Sequence, residues 1–324
     1  MFCLTTFTFL DCNHPPAQAI LDALSRLPSL ASVDFSRTPI NTLTPSFAFV
    51  ALENLSIKSG WKLVSVSGGQ PYDIVTRKAR APLDPYTRLS QSLSRRTAEL
   101  TFSRSFITTN LAFLERVEIE GALFPFGILP TTHFPRLHTL VFYGRPPISQ
   151  TTPLITLFGG MHALRDLQFR WTARLVDRHD RYIYVPPSLV LPPRATLPAL
   201  RSLTLSNLAP ERDHILHCLP TTLVRLHLPT ILEDGEPGAS LQTAVNVGLT
   251  PAGAAAVARC GCAALRELRM TLADMPAPRL ISALAAAFPG LQVLELGQAW
   301  YGARDTGLMH SEVRRANSLH VYSR

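Results

Sequence analysis

The sequence predicts an α/β solenoid, with short parallel strands along one side of a stack and helices returning along the other. Three observations predict it. One apolar phrase recurs ten times, most of the recurrences are evenly spaced, and the segments between them carry helix start and stop signals.

The phrase is an apolar residue, proline, any residue, then Leu-x-x-apolar-x-apolar. Four complete copies run into Leu30, Leu137, Leu200 and Leu291, and without the proline the pattern also fits at Leu4, Leu52, Leu114, Leu164, Leu223 and Leu265. In Leu140-Val141-Phe142, strand alternation sends residues 140 and 142 to one face and Val141 to the other. Leu137, on the turn into the strand, points inward as well. Three inward apolar side chains cannot make a core alone, but stacked repeats share one. Leu140, Phe142, Leu167, Phe169, Leu203, Leu205, Leu268, Leu294 and Leu296 are therefore expected to be buried.

Successive first positions lie 26, 22, 62, 23, 27, 36, 23, 42 and 26 residues apart. Most of these spacings match a leucine-rich repeat, whose period is about 20–29 residues. The expected architecture is thus a leucine-rich-repeat solenoid, a horseshoe with its parallel sheet on the concave side and helices on the convex side.

Helix signals fall between the strands. Thr44-Pro45, Thr152-Pro153 and Thr250-Pro251 each pair an N-cap residue with a proline suited to the first helical turn. Residues 46–50, 154–158 and 252–259 follow them. Residues 17–27 and 279–288 carry apolar side chains at helical spacing. The proline before Leu30, Leu137, Leu200 and Leu291 then directs the chain out of the helix and into the strand.

The repeat domain is expected to span 1–299, with two stretches that do not fit the period. Residues 60–110 lack the phrase and are basic: Lys62, Arg77, Lys78, Arg80, Arg88, Arg95, Arg96 and Arg104 stand against Asp73, Asp84 and Glu99. They read as an irregular insertion. Residues 300–324 are polar without an apolar period and read as a fraying tail. The apolar start, residues 1–10, has no basic leader and is interrupted by Thr5, Thr6 and Thr8, so it reads as a first strand.

Composition narrows the function classes. Of 324 residues, 46% are hydrophobic and 17% charged, which is too apolar for disorder. No apolar run approaches the roughly 20 residues of a membrane helix. Five cysteines make no disulfide framework, so the expected location is the cytoplasm or nucleus.

Sequence signatures of catalysis are missing. Gly68-Gly69 and Gly159-Gly160 lack the surroundings of a phosphate loop. Neither GxSxG nor HExxH occurs. His214 and His217, beside Cys218, have a spacing that zinc sites use, but no second pair completes one. Cys260-Gly-Cys262 reads as packing, and Asp177–Arg181 as a solvated loop. The expectation is a protein without enzymatic activity, metal or cofactor.

The outward strand positions carry the functional reading. Their basic residues are Lys58, Arg116, Arg170, Arg225 and Arg269; their acidic residues are Asp34, Glu118, Glu120, Asp166, Glu267 and Glu295. Five against six is near neutral although the whole chain carries +8. Nucleic-acid binding calls for a basic stripe on the binding surface, so the balance argues against it. A mixed surface suits protein recognition. The candidate binding residues are Asp34, Lys58, Glu118, Tyr143, Arg170, Arg225, His227, Arg269 and Glu295.

The repeated apolar-Pro-x-Leu-x-x-Leu-x-Leu phrase, set among Pro-, Ala- and Arg-rich loops, resembles the repeat region of fungal F-box/leucine-rich-repeat proteins. Residues 248–270, GLTPAGAAAVARCGCAALRELRM, resemble a repeat of the ribonuclease-inhibitor type. The first resemblance implies a substrate-receptor-like part of a ubiquitin ligase, in which an F-box binds the adaptor of a cullin-RING ligase and the repeats present the substrate. No residue here matches an F-box, so adaptor binding is expected only through a segment outside this chain. The alternative expectation is a stand-alone repeat scaffold or inhibitor without ligase attachment.

Overall fold

The computed structural model describes residues 4–10, 16–36, 40, 48–49, 52–58, 85–131, 133–147, 154–172, 182–187, 197–231, 248–298 and 318–322. The fold is α/β. It contains two compact units: Met1–Leu114 with Leu123–Pro125, and Glu115–Ala122 with Phe126–Arg324.

In the first unit β1 (Thr6–Leu10), β2 (Ser32–Ser36) and β3 (Asn54–Lys58) pair in chain order, all parallel. Alternation places Phe9, Val33, Phe35, Leu55 and Ile57 in the core. Helix α1 (Gln18–Ser25) falls within the segment expected to be helical and buries Leu21 and Leu24.

Helix α2 corrects the expectation of irregular structure across 60–110. Residues 60–84 lie outside the described residues, but Pro85–Asn110 is a helix of 26 residues. Its buried side chains in the described part are Glu99, Phe102, Ser103, Phe106, Ile107 and Asn110. The intervals of three and four between them are those of one helix face. Phe102 and Phe106 meet Phe35 edge-on at 6.0 and 6.1 Å between ring centres. Asn110 finishes the helix with both ends of its amide engaged. Nδ2 donates to Phe106 O at 2.8 Å, and Oδ1 accepts the Phe49 backbone N–H at 2.9 Å.

In the second unit seven strands pair in chain order, all parallel: β4 (Arg116–Glu120), β5 (Thr139–Gly144), β6 (Asp166–Trp171), β7 (Ser202–Leu205), β8 (Arg225–Leu228), β9 (Glu267–Leu272) and β10 (Val293–Gln298). The register aligns Val117, Leu140, Leu167, Leu203, Leu226, Leu268 and Leu294 in one row, and each is buried. All nine residues expected inward are buried. The core is aromatic toward its first strands, where Phe142 stacks on Phe169 at 5.4 Å and on Trp171 at 5.5 Å.

The return segments vary. Helix α3 (Leu154–Leu157) is a single turn, continued by the 3-10 turn Phe158–Gly160. Helix α4 (Pro251–Ala258) begins as its Thr-Pro signal predicts: Thr250 Oγ1 accepts the Gly253 N–H at 3.0 Å. Helix α5 (Pro278–Ala287) also has proline in its first turn. The Thr44-Pro45 and Thr152-Pro153 signals lie outside the described residues. Between β7 and β8, Asn207 adopts φ 55°, which asparagine tolerates better than most side chains. Its Nδ2 donates to Trp171 O and Ile231 O, each at 2.8 Å.

Two further expectations change. Within 300–324, read as a fraying tail, residues 318–322 form β11 (Ser318–Tyr322), antiparallel to β10. Leu319 and Val321 share register with Leu296 and Leu294, and backbone pairing covers the β10 edge. The second change concerns outward positions of β5 and β7. Thr139, Val141, Ser202 and Thr204 are buried. Val141 lies in register between Glu118 and Gln168, and Thr204 between Gln168 and His227. A short side chain flanked by longer ones loses its solvent even on the open face.

Candidate functional site

The outward face of β4–β10 holds most of the candidate residues, gathered into two groups. Parallel pairing sets the strands about 4.8 Å apart, so long side chains reach across to the next strand.

The first group spans β4, β5 and β6. Arg116 donates through Nε to Glu118 Oε1 at 2.9 Å. The other carboxylate oxygen, Oε2, accepts the Tyr143 hydroxyl at 3.0 Å. The Arg170 guanidinium stands over the Tyr143 ring, 5.6 Å from its centre, an arrangement in which cation and ring attract. Burial, followed by the charge and hydrogen bond of Glu118, pushes the Tyr143 phenol up to about 12. Tyr143 therefore remains a protonated donor at neutral pH, with its side chain partly exposed for contact.

The second group spans β8, β9 and β10 and centres on Glu267. Its Oε1 is 3.0 Å from His227 Nε2 and accepts Arg269 Nε at 2.6 Å. Arg269 also reaches Glu295, 3.2 Å from Nη1 to Oε2. Burial lowers the His227 value, outweighing the hydrogen bond and charge of Glu267, which raise it. His227 is accordingly neutral at pH 7, and Nε2 carries the proton it gives to the carboxylate. Burial acts to raise Glu267, but the His227 hydrogen bond and the neighbouring positive charges prevail and hold it below the ordinary carboxylate value. With His227 neutral, Arg269 is the charge that matters.

Between the groups lie the short side chains of Ser202 and Thr204 on β7. Val141 on β5 and Gln168 on β6 lie among the strands of the first group, with Gln168 Nε2 donating to Asp166 Oδ2 at 2.9 Å. Arg225 stands exposed on β8. Glu118, Tyr143, Arg170, Arg225, His227, Arg269 and Glu295 thus share one face. Asp34 lies on β2 and Lys58 on β3, in the first unit, and the Lys58 side chain is outside the described residues.

Arg116 and Glu267 organise the two groups but are not among the candidate binding residues that the sequence predicts. Both occupy outward strand positions, so alternation placed them on the face. Their roles come from hydrogen bonds between residues two apart on a strand, Arg116 to Glu118 and Arg269 to Glu267, which alternation alone does not specify.

The other sequence features are less organised. The rings of His214 and His217 meet edge-on at 5.6 Å. Among the described residues no group of three or more His, Cys, Asp or Glu side chains could hold a metal ion. No described helix is long and apolar enough to cross a membrane. Asp177–Arg181 lies outside the described residues.

Comparison with known proteins finds no matching family model and no matching characterised protein.

Proposed function

We propose that this chain is a non-enzymatic protein-recognition module built as a leucine-rich-repeat horseshoe, with the outward face of β4–β10 as its binding surface. One observation carries the reading: large side chains on this face are held in place by their neighbours. Tyr143 is fixed by Glu118 beneath Arg170, and Arg269 is fixed between Glu267 and Glu295. Tyr and Arg dominate binding hot spots, and prior positioning reduces the entropy lost on association.

Within this proposal the module serves as the substrate-receptor-like region of an F-box/leucine-rich-repeat ubiquitin-ligase component in the cytoplasm or nucleus. The repeat phrase and its resemblance to fungal proteins of that kind support the assignment. The cullin-RING adaptor would be engaged through an F-box outside this chain, and the protein on the face would be the substrate.

Affinity purification from cells with mass spectrometry tests both levels. Recovery of adaptor and cullin together with a further protein is the result expected of a ligase receptor. A direct partner recovered without them indicates a stand-alone scaffold or inhibitor. Partner binding unaffected by Tyr143→Ala, Arg170→Ala and Arg269→Ala in a folded chain would remove the face from the proposal.

A further inference from the structure

We infer that the outward face of β4–β10 recognises an acidic polypeptide segment. The inference rests on the protein-recognition reading and names the chemistry of its partner. Its basis is a difference between the charges this face contains and the charges it exposes.

By residue count the face is almost balanced. By exposure it is not. The Arg116 side chain is 43% exposed, against 17% for Glu118. Arg269 is 48% exposed, against 19% for Glu267 and 30% for Glu295. Arg170 and Arg225 are exposed, and Asp166 has one carboxylate oxygen bonded to Gln168 and the other buried. Glu120 is partly exposed at the far end of β4, while Glu118, Asp166, Glu267 and Glu295 lie low and take hydrogen bonds or ion pairs from the face itself. The guanidinium groups stand above them. A guanidinium has five N–H donors, and Arg116 and Arg269 each direct only part of theirs to these carboxylates.

The strand entrances add to the same side. The residues just before the strands form a backbone ladder: Arg165 N donates to His138 O at 2.9 Å, Arg201 N to Arg165 O at 2.8 Å, and Arg266 N to Val224 O at 2.8 Å. Arg165, Arg201 and Arg266 are all exposed. Their row borders the positions of Arg116 and Arg225. Glu115 stands in the same row before β4 but is paired with Arg136 and His138, so a partner approaching this end of the sheet meets mostly guanidinium groups.

Arginine forks pair with carboxylates in two parallel hydrogen bonds, a geometry that suits Asp and Glu side chains. Single-stranded nucleic acid is a poorer fit, because it is usually held by aromatic platforms on which bases stack. Tyr143 is the one outward aromatic residue of the described strands β4–β10, and its hydroxyl is committed to Glu118. Arg116 and Arg225 lie four strand spacings apart, roughly 19 Å, with Thr139, Asp166 and Ser202 in register between them. Separate anchor points of this kind suit carboxylates spaced along a peptide, whereas the carboxylates beneath the arginines oppose a continuous phosphate chain.

The test uses the full chain and three fluorescent probes: a dodecapeptide of alternating Glu and Ala, its Gln counterpart, and a twelve-nucleotide oligothymidylate. The Glu peptide is expected to bind at least about tenfold more tightly than the Gln peptide, with the advantage shrinking as salt screens the charges. Combined Arg116→Gln, Arg225→Gln and Arg269→Gln substitutions should remove that advantage. Arg279→Gln, an exposed change on α5, should leave it intact. Thermal melts confirm that each variant is folded. Equal binding of the two peptides, tighter binding of the oligonucleotide, or an unchanged advantage in the folded triple variant would overturn the inference. A protein partner held by this face through a neutral or basic surface would also overturn it while leaving protein recognition in place.

Discussion

The Asp213 carboxylate accepts the backbone N–H of Tyr184 at 2.6 Å, joining two segments that sequence periodicity leaves unrelated. It also accepts Val185 N and Ile215 N, each at 3.0 Å. The Tyr184 hydroxyl donates to Ser206 O at 3.0 Å, so the buried tyrosine is tied at both ends. One acidic side chain thus anchors residues 184–185 to the turn that begins at Ile215. Replacing it with alanine leaves three backbone donors without their partner. Each buried unpaired group costs about 1–3 kcal/mol, so Asp213→Ala should lower stability by at least about 3 kcal/mol in urea unfolding. A loss below about 1 kcal/mol would mean that other acceptors take over.

The same group gives a pH dependence. Burial raises the Asp213 carboxyl from 3.8 to about 6, although the N–H bonds from Tyr184, Ile215 and Val185 and the charge of nearby His214 act to lower it. A folded value above the unfolded one means that the folded chain holds the proton more tightly. The associated stabilisation is complete below about pH 4 and lost as pH rises through about 6. Two pH units correspond to about 3 kcal/mol at most. Stability measured from pH 4 to pH 6 should therefore fall more steeply in the native chain than in Asp213→Asn. Parallel profiles would place the carboxyl near its ordinary value.

Two glycine substitutions test the packing of the second unit. A Cβ on Gly248 would lie 2.2 Å from Leu272 C and 2.4 Å from Ala273 N. Both are backbone atoms beside the ladder in which Leu249 N donates to Thr271 O at 2.8 Å. Since neither can turn aside, Gly248→Ala should cost at least about 1–3 kcal/mol, the usual penalty of overpacking. At Gly159 a Cβ meets nothing within 4 Å. Gly159→Ala should change stability by less than about 0.5 kcal/mol. Thermal melts of the two variants decide the matter, and equal melting temperatures would contradict this packing.

The rows from Val117 to Leu294 were legible because each repeat states its inward positions with the same apolar letters. Helix α2 was not. Its buried face alternates Phe102, Phe106 and Ile107 with Glu99, Ser103 and Asn110, so half of that face is hidden from a search for apolar period. The outward face was legible in direction but not in height. Alternation places Thr204 and Arg225 on the same side, but the length of neighbouring side chains decides that one is buried and the other exposed. A charge count carries no information on height for that reason. Glu118 and Arg116 count equally in a sequence, yet their hydrogen bond leaves the arginine the more accessible. Strand β11 lies outside the repeat phrase and pairs antiparallel, so the period carried no signal for it.

Glu267→Gln tests the second group on both structure and binding. The glutamine can keep one acceptor for His227 Nε2 but loses the charge that attracts His227 and Arg269. Glu267 raises the His227 value through its hydrogen bond and charge, against the larger lowering by burial and the smaller lowering by Arg269 and Arg225. Removing the charge should therefore move the His227 titration, followed by NMR, to still lower pH. Because His227 already titrates below its unfolded value, its contribution to stability is lost as pH falls through the folded value. The variant should extend that loss to more acidic pH, because only the folded value moves. The paired side chains are partly exposed, so the change in stability at pH 7 should stay within about 1 kcal/mol. Binding should move the other way. Loss of a carboxylate beneath Arg269 makes the face more positive, so the alternating Glu-Ala peptide should bind a few-fold more tightly and the Gln peptide equally well. Weaker binding of the Glu peptide by the folded variant would show that Glu267 matters mainly by holding Arg269 in position.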